Sequence, residues 1–128
     1  MIGVVLDTNV LVSAFWSLRG NSYKILDMFN EDEIELYYSS PIMEEYQEVL
    51  NRAKFNFPLE EISEFLKKIK NKGILADTET SVFPMPDETD RKFYDLAKTA
   101  GAILITGNIK HYPAEKFIMT PADFIKVI

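Results

Sequence analysis

The sequence of 128 residues contains no cysteine, which removes disulfides and thiolate metal sites together. It holds a single histidine. Any metal ion must then be bound by carboxylates, amides, hydroxyls or that one imidazole, a donor set suited to hard cations such as Mg²⁺ or Mn²⁺. Positive charge is also short. Lys and Arg number 14 against 20 Asp and Glu, a net charge of −6. A global basic field that draws in nucleic acid is absent, so any such contact must use local basic patches. No apolar stretch approaches the length of a membrane span. The start, MIGVVLDTN, has no basic n-region and too short an apolar run for a signal peptide, so the cytoplasm is the expected location. There are no repeats and no low-complexity segment, and the length fits one domain, residues 1–128, with a sizeable core.

What is present alternates between short apolar runs and helical patterns. Ile2 to Leu6 predicts a buried strand ended by Asp7, and Val10–Trp16 and Tyr23–Phe29 predict helices. The breaker-rich Arg19-Gly20-Asn21-Ser22 separates them. Ile34–Tyr38 predicts a second strand, followed by Ser40 as N-cap and Pro41 at the first position of a helix running to about Arg52. Another helix runs from Pro58 to about Lys72, with Gly73 as its cap, and its acidic start and basic end complement the helix macrodipole. A short strand over 73–77 and a loop over 78–86 lead to a helix from Glu88 to Ala100 capped by Gly101. Strands at Ile103 and at Phe117–Met119 follow, and Thr120-Pro121-Ala122-Asp123 has the form of a capping box opening a last helix. This alternation predicts an α/β three-layer sandwich with a short, mainly parallel sheet flanked by helices.

Most of the acids must be solvated surface, so their placement is the informative part. Asp7 directly follows the first buried strand, where it can cap the next helix or face a crevice. On the helix from Pro41, the apolar face is Ile42, Tyr46, Val49, Leu50 and Ala53. Glu44 and Glu48 point away from it, whereas Glu45 stands at its edge. On the helix from Glu88 the apolar face is Phe93, Leu96, Ala97 and Ala100, with Asp95 pointing away and Asp90 on the flank. Asp87 lies further round as a cap, and Arg91 is read as facing solvent. A surface ion pair or a first-turn acid accounts for Glu45 or Asp90 taken singly. Together, Asp7, Glu45 and Asp90 each fall near the C-terminal side of a strand or the start of the next helix, positions that an open α/β sheet gathers into one crevice. Three gathered carboxylates repel and raise one another's pKa values. A divalent cation removes that repulsion, polarises a phosphoryl oxygen and acidifies water, which points to phosphodiester hydrolysis.

The segment ILITGNIKHYP, Ile103 to Pro113, predicts a buried strand that delivers Thr106, Gly107 and Asn108 to the same crevice. Four blocks in this order resemble the PIN-domain nuclease family, in particular its small prokaryotic VapC-like toxin branch. VVLDTNVLVSA is similar to the first-strand signature carrying Asp7, and SSPIMEEYQEVLNRAKF to the block carrying Glu45. DETDRKFYDLAKTAGAILITGN resembles the third and fourth blocks, with Asp90 as the third acid and Asn108 where the fourth acid, usually Asp, stands. The resemblance covers nearly the whole chain.

It implies a PIN fold and a Mg²⁺- or Mn²⁺-dependent endoribonuclease, the toxin of a toxin–antitoxin pair. Asp7, Glu45 and Asp90 would hold the metal, with Asn108 supporting it or its water and Asn9 and Thr106 helping to arrange the site. It also implies a cognate antitoxin protein and a homodimer. Asn108 departs from the pattern and leaves three formal negative charges rather than four. The alternative is a catalytically weakened PIN-fold module that binds RNA or protein. A phosphotransfer domain using Asp7 as nucleophile leaves Glu45 unexplained. His111 and Lys110 lie on the loop beside the site, and His111 is read as solvated.

Overall fold

The computed structural model describes residues 1–128. The strands are β1 (Ile2–Leu6), β2 (Ile34–Tyr38), β3 (Ile74–Leu75), β4 (Ile103–Ile105) and β5 (Ile118–Met119). The helices are α1 (Thr8–Trp16), α2 (Asn21–Asn30), α3 (Ser40–Leu50), α4 (Leu59–Lys72), α5 (Arg91–Ala100) and α6 (Pro121–Val127). The five strands form one sheet in the order β3-β2-β1-β4-β5, and every pairing in it is parallel. This is the expected α/β sandwich. Val4, Val5 and Leu6 of β1, at the centre of the sheet, are fully buried, as a strand covered by helices on both faces requires.

The order of strands explains the layers. The chain steps from β1 to β2 to β3 in one direction and then crosses back to β4 on the other side of β1. With right-handed crossovers, that reversal sends α5 to the face opposite α1 and α2. Accordingly α5 lies across β1, β2 and β4, while α2 packs on β2 and against α1 and α6. The reversal also opens a crevice at the C-terminal ends of β1 and β4. Those ends are level, because Leu6 pairs with Ile105, and the Asp7 amide extends the ladder by donating to the Ile105 carbonyl at 3.0 Å.

Some local details differ from expectation. Helix α3 begins one residue early, with Ser39 as N-cap accepting from the Ile42 amide at 3.4 Å. Ala53 lies beyond its end and is exposed, and Met43 takes a place in the core instead. Gly101 ends α5 in the left-handed conformation, φ 65°, as a glycine cap should. Gly73 ends α4 for another reason. Its backbone is extended, and a Cβ there would stand 2.5 Å from the Ile69 carbonyl oxygen, so it is close approach that requires glycine.

The largest correction concerns the solvent side of α5. Asp95 does not point into water; it is 6% exposed. Its carboxylate accepts from the Ser81 amide at 3.0 Å and the Ser81 hydroxyl at 2.6 Å. Arg91 is not free in solvent either. Its guanidinium donates to the Ser81 carbonyl and hydroxyl oxygens at 3.0 and 2.8 Å and grips Glu88 through two bonds of 2.6 and 2.7 Å. The loop ahead of α5 folds over that helix face and is pinned there.

Candidate metal centre

Asp7 stands at the N-cap position of α1, yet its side chain makes no capping hydrogen bond. The carboxylate turns across the sheet instead. Its Oδ2 accepts from the Thr106 hydroxyl at 2.9 Å and the Tyr112 hydroxyl at 2.8 Å. Burial raises the Asp7 pKa. The Tyr112 and Thr106 hydroxyls oppose that shift, as does the nearby Asn9 amide, which falls short of hydrogen-bond geometry, while the Glu45 charge adds to it. Tyr112 is itself buried and lies in the negative field of Asp7, Asp90 and Glu45, which pushes its pKa far up and keeps its hydroxyl a donor.

Asn9 and Thr106 tie the two strand ends together. The Asn9 carboxamide accepts from the Gly107 amide at 3.0 Å and donates to Thr106 Oγ1 at 3.4 Å. Thr106 is fully buried, and its Oγ1 also accepts from the Asn108 amide at 3.0 Å. One hydroxyl thus organises the turn after β4 and orients Asp7.

Glu45 reaches the crevice from the edge of the α3 apolar stripe, where the spacing places it. Its Oε2 accepts from the Thr8 hydroxyl, and its Oε1 lies 2.7 Å from Lys92 Nζ. The next residue, Tyr46, is fully buried and donates to the Leu6 carbonyl oxygen at 2.5 Å. The Tyr46 ring also stacks on Phe93 of α5 at 6.4 Å between centroids. A core side chain therefore fixes α3 against both β1 and α5.

Asp90 closes a single 3₁₀ turn, Glu88–Asp90, that leads into α5. Its side chain is 14% exposed, and its Oδ2 is buried without a hydrogen-bond partner. The imidazole of His111 stands beside it, with Nδ1 at 3.4 Å, outside hydrogen-bond geometry. Desolvation pushes the Asp90 carboxyl up to about 6, assisted by the charges of Asp7 and Asp87 and opposed by His111. An orphaned buried carboxylate oxygen is costly unless something completes it.

The acids expected to hold a metal converge on one crevice without forming a single tight cluster. The trio whose ligand atoms all lie within 4.8 Å of one another is Asp87, Asp90 and His111, rather than Asp7, Glu45 and Asp90. Asp87 is the cap that its position predicts, and its Oδ1 accepts both the amide and the hydroxyl of Thr89 at 3.0 and 2.7 Å. His111 is exposed, as its place on the loop predicts, and its imidazole also faces Asp90. Asn108 is exposed and turns its side chain to that imidazole, with Nδ2 3.0 Å from Nε2. Sequence reasoning passed over Tyr112, Lys92 and the His111–Asp90 contact. The one available signal was that Lys92 and His111 lie within a few residues of expected site positions.

This donor set suits a divalent metal. It comprises one buried and several half-buried carboxylates that repel one another, an oxygen with no partner, and only hard or borderline donors. No helix is long and apolar enough to cross a membrane.

Residues 3–110 match the family model described as PIN domain. The uncharacterized protein MJ1680 of Methanocaldococcus jannaschii is 33% identical over 110 residues, covering 84% of this chain and 71% of its own. Among solved structures, the fold is similar to that of VapBC2 from Rickettsia felis bound to a DNA fragment from their promoter. That likeness has a TM-score of 0.59 and 19% identity, and covers 93% of this chain and 97% of that one. PAE2754 from Pyrobaculum aerophilum matches with a TM-score of 0.53 and 14% identity over 98% and 96% of the two chains. The family match across most of the chain and the parallel sheet with acids at its C-terminal edge agree: the chain belongs to the PIN-domain family, whose members are in general nucleases.

Proposed function

We propose that this protein is a Mg²⁺- or Mn²⁺-dependent endoribonuclease, built as one PIN domain over residues 1–128, in which Asp7, Glu45 and Asp90 hold the cation. The observation that carries this reading is the buried, unpartnered Oδ2 of Asp90 in the shared negative field of Asp7 and Glu45. A bound divalent cation supplies a Lewis acid for a phosphoryl oxygen and acidity to water.

The chain's own residues do the positioning. Thr106 and Tyr112 fix one oxygen of Asp7 and leave the other for ligation. Thr8 and Lys92 hold Glu45 in place, and the Lys92 ammonium offers local positive charge to a phosphate in an otherwise acidic molecule. Asn108 stands at the rim, where a carboxamide adds polarity without charge.

A nuclease of this kind needs restraint, and the fold it shares with VapBC2 supports an antitoxin partner whose segment occupies the cleft. A homodimer is the expected assembly, with Trp16, 66% exposed beside Phe55 and Phe57, available to an interface. The cytoplasm is the proposed location.

The test is Mn²⁺ binding and RNA cleavage by the purified protein, free of any antitoxin, against Asp7→Asn. Both activities in the wild type, with both lost in the variant, support the reading. Neither activity on varied RNAs overturns it. RNA binding without cation binding would mark a non-catalytic module instead.

A further inference from the structure

We propose that His111 is a nitrogen ligand to the cation at Asp90, joined by Asp87, and that Asn108 acts on this imidazole rather than on the cation. The proposal rests on the reading that Asp90 holds a divalent ion, and it goes beyond the acids expected from the family. Three observations converge on it. Asp87, Asp90 and His111 present ligand atoms within 4.8 Å of one another. Atoms sharing a cation ~2.1 Å away lie at most ~4.2 Å apart, so the side chains need move by well under ~1 Å to close on it. The Oδ2 of Asp90 is buried and has no partner, and it is the very atom that faces His111 Nδ1 at 3.4 Å. On Asp87, both bonds from Thr89 fall on Oδ1, which leaves Oδ2 for a cation.

The turn that carries His111 is closed by its own backbone. The His111 amide donates to the Asn108 carbonyl at 3.1 Å, and the Tyr112 amide to that of Ile109 at 3.1 Å. Consecutive side chains of this turn then reach two different acids, His111 to Asp90 and Tyr112 to Asp7.

Asn108 has a place in this scheme. Which end of a carboxamide is oxygen is assigned from its hydrogen bonds. Turned over, Asn108 accepts from His111 Nε2–H through Oδ1, which fixes the tautomer whose Nδ1 lone pair is free. Metal-bound histidines commonly donate their second ring N–H to such an acceptor. The residue that replaces the usual fourth acid thus supplies a ligand indirectly, as a nitrogen and without charge. One imidazole among carboxylates tilts a site from Mg²⁺ towards first-row transition ions.

The test uses the full chain with Mn²⁺ or Mg²⁺ alone and no nucleic acid. His111 is the only histidine, so any imidazole nitrogen coupling has one source. Pulsed electron paramagnetic resonance of the Mn²⁺-loaded wild type should show that coupling, altered by ¹⁵N-histidine and absent in His111→Ala. Calorimetry should find Mn²⁺ affinity in His111→Ala lowered about tenfold or more, Mg²⁺ affinity within about threefold, and Asn108→Leu intermediate for Mn²⁺. His111 is exposed, and an unchanged melting temperature for metal-free His111→Ala confirms that the variant folds. If the wild type shows no nitrogen coupling, or His111→Ala keeps full Mn²⁺ affinity while Asp7→Asn loses it, the ligand role of His111 is overturned and the acidic site stands. If the wild type binds no Mn²⁺ at all, both readings fall.

Discussion

Asp90 and Asp95 stand about a turn and a half apart at the start of α5, and both carboxylates are largely withdrawn from water. Asp95 meets two donors from Ser81, whose hydroxyl and carbonyl are in turn held by Arg91. Asp90 ends in an oxygen that nothing donates to, beside other negative charges. The first carboxylate is used up by the fold, and it secures a loop. The second is left incomplete by the fold, at a cost that a bound cation would remove. Burial alone does not distinguish these two acids; the state of their lone pairs does.

The contrast can be broken most severely at Asp7. Asp7→Asn should reduce RNA cleavage by at least about a hundredfold, roughly 3 kcal/mol of transition-state stabilisation, and weaken Mn²⁺ binding in parallel. A variant that keeps wild-type rates would remove Asp7 from the site. Next in size is Asp95→Ala, which strands the Ser81 amide and hydroxyl. It should cost about 2 kcal/mol of stability in urea melts, with Mn²⁺ affinity changed by less than about threefold because this carboxylate ligates nothing. A large loss of affinity without a loss of stability would reverse the roles given to the two acids.

Asp90→Asn should do the opposite of Asp95→Ala. In EDTA at pH 8 it should stabilise the protein by about 1 kcal/mol, since a neutral amide escapes the desolvation and repulsion that the carboxylate meets. The sign follows from the raised pKa. Asp90 titrates near 6 in the folded chain and near ~4 unfolded. Its destabilising effect is therefore absent below about pH 4, grows through pH 6 and is complete above it. The advantage of the asparagine should shrink as the pH is lowered from 8 to 5, and thermal melts at both values measure it. Tyr112→Phe should cost about 1 kcal/mol through the lost bond to Asp7, with a smaller reduction in Mn²⁺ affinity than Asp7→Asn gives. Smallest for the site is Gly101→Ala, which forces a side chain into the left-handed region at a cost of about 1–2 kcal/mol of stability and should leave cation binding untouched.

Periodicity and ordered blocks made the sheet, the helices and the convergence of Asp7, Glu45 and Asp90 on one crevice legible before any coordinates. Glu45 is the clearest case, because a helix stripe has an edge and the edge can be counted. Asp95 failed by the same count. Helical phase places it away from the strands, and nothing local reveals that a loop fourteen residues earlier returns to cover it. Arg91 was misread for that reason too. Tyr112 and His111 lie in an irregular turn, where no period relates side-chain direction to sequence. Their partners, Asp7 and Asp90, are 105 and 21 residues away in the chain.

The bond between Asp7 and Tyr112 joins residues 105 positions apart in the sequence. During synthesis, β1 and the first acid leave the ribosome long before the turn that orients that acid. The cleft stays open on one side, without β4 or its loop, until the segment around Tyr112 has emerged. The carboxylate of Asp7 therefore gains its orienting hydroxyls only once both ends of that span have been made.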